Sequence, residues 1–154
     1  MATINKTTVD NVDLKRFMGT WYEIARFNHR FERGLQGVTA EYTLKENGKI
    51  QVKNCGHKQT LQGEKTCSVG KAHPSRSGQP GQLRVAFFLF FYSDYNIMEL
   101  DPDYQWALIG SSSDKYLWIL SRTPHLSPET TSYILGKARS RGYDITKLLF
   151  IQQP

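Results

Sequence analysis

The sequence predicts an all-β protein: an eight-stranded antiparallel up-and-down β-barrel, followed by one C-terminal α-helix and a short ninth strand. Three observations predict it. Short runs of alternating apolar and polar residues follow one another, each bounded by turn residues. One stretch near the C-terminus instead carries helix-capping residues at both ends. A meander has exposed edges unless it closes on itself, and closure into a barrel removes them.

The elements follow in order. "GTWYEIARF" is the first strand, and "VTAEYTL" the second, with Val38, Ala40, Tyr42 and Leu44 on one face. "ENGK" predicts a tight hairpin, because Asn-Gly tolerates positive φ at both central positions. "IQVKN" continues the alternation, and "KTCSVGKAH" follows the loop "HKQTLQGE". After the turn "PSRSGQPG", "QLRVAFF" puts Leu83, Val85 and Phe87 on one face. "YNIMEL", "WALIGS" and "YLWILS" complete eight strands, joined by "DPDYQ" and "SSDK". Ser127 is then a good N-cap, Pro128 suits the first helical position and Gly142 provides the stop, so 128–141 reads as a helix with Ile134, Leu135 and Ala138 on its apolar face. "KLLFIQ" is the last strand.

At 154 residues the chain is most simply one domain with a real core, spanning 11–154 behind a flexible tail at 1–10. No segment is long and apolar enough for a membrane helix. The start, "MATINKTTVD", lacks the basic and apolar regions of a signal peptide, which implies either a cytoplasmic protein or a chain short of its leader. A formal charge of +6 favours anionic partners, yet the Lys and Arg residues are scattered with no run of five or six, so no nucleic-acid partner is expected. An oligonucleotide-binding barrel would have five strands, not eight. No cofactor and no metal are expected: CxxC and zinc-spaced His/Cys clusters do not occur. Nor is an enzyme. His29, His57, His73 and His125 fall in or beside loops, and neither HExxH nor G-x-S-x-G is found.

Alternation places Ala40, Tyr42, Val52, Asn54, Leu83, Val85, Phe87, Tyr95, Ile97, Ile109, Tyr116 and Trp118 inside. An eight-stranded barrel can be filled by such side chains or can hold one small ligand, and alternation suits both. On the third strand Ile50, Val52, Asn54 and Gly56 share the inward parity, so Cys55 points out.

Three motifs stand in a familiar order: Gly19-Thr20-Trp21 opens the first strand, Asp101-Pro102-Asp103-Tyr104 joins the sixth to the seventh, and Arg122 closes the eighth. Together they resemble the lipocalin family, although Leu100 stands where its middle motif has Thr. "RFMGTWYEIARFNHRFERGL", "YNIMELDPDYQWALIG", "YLWILSRTP" and the ending "QQP" are most similar to its bacterial outer-membrane lipoprotein branch, with plant temperature-induced lipocalins next. The resemblance implies a calyx open at one end that binds, stores or transports a fatty acid or lysophospholipid, serving the bacterial envelope. It implies an outer-membrane location on the periplasmic side, through a lipid anchor absent from this chain. The alternatives are a cytoplasmic, stress-related lipocalin for another small hydrophobic molecule, or a lipocalin-type isomerase. It also implies that Arg122 lies across Trp21 at the closed end beside Gly19, a structural role worth about 2 kcal/mol where the contact is desolvated.

Two further expectations depend on that resemblance. With "DPDYQ" at the closed end, Phe88, Leu89, Phe90 and Phe91 belong to the mouth, together with His29, Arg30, Phe31, Arg33 and Leu35 from "NHRFERGL". Such an aromatic and cationic rim suits a membrane surface, an acyl-chain lid or a homodimer interface. Gly70 and Ala72 match inward positions of the family, so Cys67 faces out like Cys55. The two either pair across the ladder, closing a loop worth about 3 kcal/mol, or remain free thiols.

Overall fold

The computed structural model describes residues 3–87 and 91–154, without the side chains of Phe87 and Phe91. The strands are β1 (Gly19–Phe27), β2 (Leu35–Leu44), β3 (Ile50–Lys58), β4 (Lys65–Pro74), β5 (Gln82–Phe87), β6 (Phe91–Leu100), β7 (Trp106–Gly110), β8 (Leu117–Ser121) and β9 (Leu148–Phe150). Two α-helices, α1 (Leu14–Phe17) and α2 (Pro128–Ser140), and a single 3-10 turn at Ile145–Lys147 accompany them. The sheet runs β2 through β8 in sequence and then β1 and β9, and a second pairing of β1 with β2 closes the first eight strands into a barrel. Every pairing is antiparallel. This is the fold class the sequence predicts.

The ladder ends explain its local form. The hairpin after β2 differs from expectation: only Gly48 takes positive φ, at 80°. Gly48 N–H donates to the Lys45 carbonyl and Lys45 N–H to that of Lys49, giving a three-residue connection with glycine in the left-handed position. Ser127 caps α2 by accepting from Thr130 N–H at 3.1 Å, and Gly142 (φ 104°) ends it.

The sequence reading does not contain α1, a single turn whose N-cap, Asp13, accepts from Lys15 and Arg16 N–H. It drops Phe17, fully buried, into the closed end, where Trp21 Nε1 donates to the Phe17 carbonyl at 2.8 Å. Arg122 lies 3.8 Å from the Trp21 ring centroid and donates to the carbonyls of Arg16, Thr20 and Tyr104. Gly19 has φ 100°, and a Cβ there would meet Arg122 Nη1 at 3.3 Å. The floor of the barrel therefore carries both a rare backbone conformation and a close approach at one residue.

Two apolar layers result. Inside, Trp21, Tyr42, Val52, Val85, Tyr95, Ile97 and Ile109 pack with Phe17. Outside, α2 lays Ile134 and Ala138 over Ile24, Met98, Leu108, Leu117 and Ile119. Thus β7 and β8 are buried on both faces and read as continuous apolar runs. Residues 3–10, expected as a tail, pack on the barrel, Ile4 against this outer layer and Val9 against the inner one. Asn5 N–H donates to the Arg141 carbonyl and Val9 N–H to that of Ile97, while Arg141 donates to the carbonyls of Asn5, Thr7 and Met98 and pairs with Glu99.

Candidate functional site

The open end of the barrel is built around one irregularity. Between Glu23 and Ala25 the pairing of β1 with β8 slips by a residue: Glu23 faces Leu120, Ala25 faces Ile119 and Arg26 faces Trp118. Ile24 and Ala25 both join the outer layer. Strict alternation would carry Glu23, Ala25 and Phe27 inside and leave Arg26 in solvent. The bulge reverses the later residues. Arg26 is 1% exposed, and Phe27 packs outward at 6.1 Å from the Tyr143 ring.

Arg26 therefore meets the connection after β1 from within. Its guanidinium donates to the Glu32 carbonyl at 2.6 Å and to Glu23 Oε2 at 3.4 Å. Glu32 Oε1 accepts from Trp118 Nε1 at 2.9 Å and lies 2.7 Å from His29 Nε2. The two carboxyls are driven apart. Burial and then the neighbouring Glu32 charge raise Glu23 well above the usual carboxyl range, which favours its neutral form. For Glu32 burial acts upward, but hydrogen bonds from His29 and Glu23, with the His29 and Arg26 charges, bring it down to about 2.

Below this network lies an inner cavity of about 40 Å³, lined by Glu23, His29, Glu32, Val38, Ala40, Tyr42, Asn54, Tyr95, Ile109, Trp118 and Leu120. A second cavity of about 220 Å³ occupies the mouth between the β1–β2 connection and the upper ends of β3 and β4; the two share Glu32, Val38 and Asn54 as walls. At the bottom, the Tyr42 and Tyr95 hydroxyls bond each other at 2.8 Å. Burial pushes both phenols up, so they stay neutral.

Of the residues assigned inward by alternation, Ala40, Tyr42, Asn54, Tyr95, Ile109 and Trp118 wall the inner cavity. Val52, Val85 and Ile97, like Leu83, are buried in the inner core but are not among its lining residues. Tyr116 stacks on Trp118 at 5.8 Å. The side chain of Phe87 lies outside the described residues. Alternation could have found two lining residues it did not assign, since Glu23 shares parity with Trp21 and Leu120 with Trp118; Val38, placed on the face of Ala40, lines the cavity as well. Arg26, His29 and Glu32 depend on the bulge and the connection and carry no periodic signal.

Phe31, Arg33 and Leu35 line the mouth cavity, and Arg30 stands 4.8 Å over the Phe31 ring. His29, expected at the rim, is instead 8% exposed within the Glu32 network. Phe88, Leu89 and Phe90 lie outside the described residues, as does the side chain of Phe91. Cys55 faces Cys67 directly across the β3–β4 ladder, and the two are bonded, with 4.1 Å between Cα atoms.

Three comparisons bear on this geometry. Residues 12–153 match the model of the lipocalin-like domain family. The chain is 46% identical over 148 residues to the outer membrane lipoprotein Blc of Escherichia coli, covering 96% of this chain and 83% of that one. It is 39% identical to temperature-induced lipocalin-1 of Arabidopsis thaliana, covering 91% and 78%. Insecticyanin from the tobacco hornworm Manduca sexta superposes with a TM-score of 0.75 at 20% identity, covering 96% of this chain and 84% of that one.

Proposed function

The chain belongs to the lipocalin family, and from that premise we propose that it binds a fatty acid or lysophospholipid in the barrel and serves the bacterial envelope. The observation that carries the reading is the interior: an apolar cavity with neutral phenols at its base shares its Glu32, Val38 and Asn54 walls with a larger mouth cavity. Mostly apolar walls with a few fixed polar groups suit a lipid-sized guest. The protein is a carrier in this reading, not an enzyme.

Location and membrane contact belong to the same proposal. Relatives that are 38–46% identical carry the name outer membrane lipoprotein, which supports a place on the periplasmic face of the outer membrane. Arg30 and Arg33 beside Phe31 at the mouth suit an anionic leaflet, where each cation adds about 1 kcal/mol. Native mass spectrometry of protein purified from cells is the test. A co-purified single-chain lipid, exchangeable for added lysophospholipid, is the expected result. Protein that carries no lipid and takes none up from vesicles would sink the reading.

A further inference from the structure

The net charge is not spread over the molecule. Residues 47–87 hold seven Lys and Arg against one acid, Glu64, so this stretch carries the whole formal charge of +6. The rest of the chain holds thirteen cations and thirteen acids and is neutral. The stretch comprises β3, β4, β5 and their connections, the flank that α2 leaves uncovered. Strand pairing gathers its side chains into one surface. Lys65, Cys67, Val69 and Lys71 stand along the outer face of β4, about 20 Å from end to end. Val69 faces Lys53 on β3, Lys71 faces Ala86 on β5, and Ala86 faces Tyr92 on β6. All seven cations are exposed. Acids meet them only at the borders: Glu41 faces Lys53 from β2, Asp94 pairs with Arg84 at 3.1 Å and Glu64 with Lys58 at 3.6 Å. Lys49, Lys53, Lys65, Lys71 and Arg76 have no ion pair among the described residues. Val69 and Tyr92, at 64% and 65%, are the most exposed large apolar side chains among those residues, and both sit within this field.

We propose that the outer face of β3–β5 docks on an anionic lipid surface, so that the barrel lies on its flank with α2 turned away from the leaflet. The proposal rests on the membrane contact read above and gives it an orientation. The rim becomes one end of the contact, because Phe31 and Arg33 share the mouth cavity with Thr66 and Cys67 at the upper end of β4. Charge complementarity selects an anionic partner, and cations about a Debye length apart attract it together. The apolar groups select a lipid surface over a soluble polyanion. A tyrosine suits the headgroup level of a bilayer, and Val69 gains by leaving water there. Five of the seven cations are lysines, point charges on flexible stems rather than the flat forks that read a fixed array of phosphates.

The test sediments the full chain with vesicles of phosphatidylcholine, alone or mixed with phosphatidylglycerol, at moderate ionic strength. Wild type should bind only the mixed vesicles. Each lysine near such a surface is worth about fivefold in affinity, so the triple variant Lys53→Ser, Lys65→Ser, Lys71→Ser should bind about a hundredfold more weakly. Lys15→Ser, Lys137→Ser, Lys147→Ser removes the same charge from the neutral remainder and should stay within about threefold of wild type. Equal losses in the two triple variants would overturn the proposal, since overall charge alone would then act. Undiminished binding by the β3–β4 variant would also overturn it and leave the rim as the contact. A wild type that binds no anionic vesicle overturns the membrane reading as well, and retention on heparin without vesicle binding would assign the flank to a polyanion instead. Should the triple variant not fold, Val69→Trp gives a second readout. Brominated phosphatidylglycerol should quench this variant beyond wild type but leave Tyr133→Trp, on α2, at the wild-type level, and the reverse pattern overturns the orientation. Lipid capture by the barrel is read separately by the mass spectrometry above, so either result can fail without the other.

Discussion

Glu23 and Glu32 occupy one buried network with their pKa values shifted in opposite directions, so their pH dependences have opposite signs. Glu32 titrates at about 2 in the folded protein against 4.5 for the free group. Its contribution is present above 4.5 and lost as pH falls toward 2, amounting to about 3 kcal/mol. Glu23 is raised, so its contribution is fully present below 4.5 and is lost as pH rises through its folded pKa. Together they put the stability maximum from this pair near the ordinary carboxylate pKa. Glu23→Gln keeps a donor toward Glu32 and removes the alkaline loss. Denaturant midpoints should therefore fall between mildly acidic and mildly alkaline pH in wild type and stay level in the variant. A variant that declines in parallel with wild type would show that Glu23 is ionised.

At the scale of single elements, the Cys55–Cys67 bond ties β3 to β4 from the outer face, closing a loop of sequence separation 12. In the entropic picture such a loop is worth about 3 kcal/mol. Replacing both cysteines with serine should lower stability by roughly that amount, read as a shift of the denaturant midpoint. Unaltered stability in the serine variant would mean that the bond adds nothing. The pairing shows what the chain could announce about itself. Parity alone put Cys55 outward, but which residue faced it depended on ladder register. The strands, α2 and the closed-end motif were legible because each has its own period, cap or spacing. The mouth network was not. Nothing in "YEIARF" marks a bulge, no glycine signals one, and one extra residue turned Arg26 from solvent to interior. Likewise α1 is four residues long, too short for a helical period to register, and only Asp13 as a cap hints at it.

Across the whole molecule, one side of the barrel is double-walled. Helix α2 backs β1, β6, β7 and β8, and Arg141 fastens residues 5 and 7 there as well. Among the described residues, strands β2 to β5 have no helix over their outer face, and Val69 there is 64% exposed. Amide hydrogen exchange should divide accordingly, with the slowest protons in β7 and β8 and faster ones in β4 and β5, because local opening follows the amount of buried apolar contact. Uniform protection around the barrel would contradict this. The consequence is mechanical. A hull stiff on one flank and compliant on the other can swell only in one direction, so guests of different girth would be accommodated by strain in β2 to β5 while the braced flank keeps its shape. The disulfide, sitting in the compliant flank, then acts as a stop on how far the barrel can be sprung.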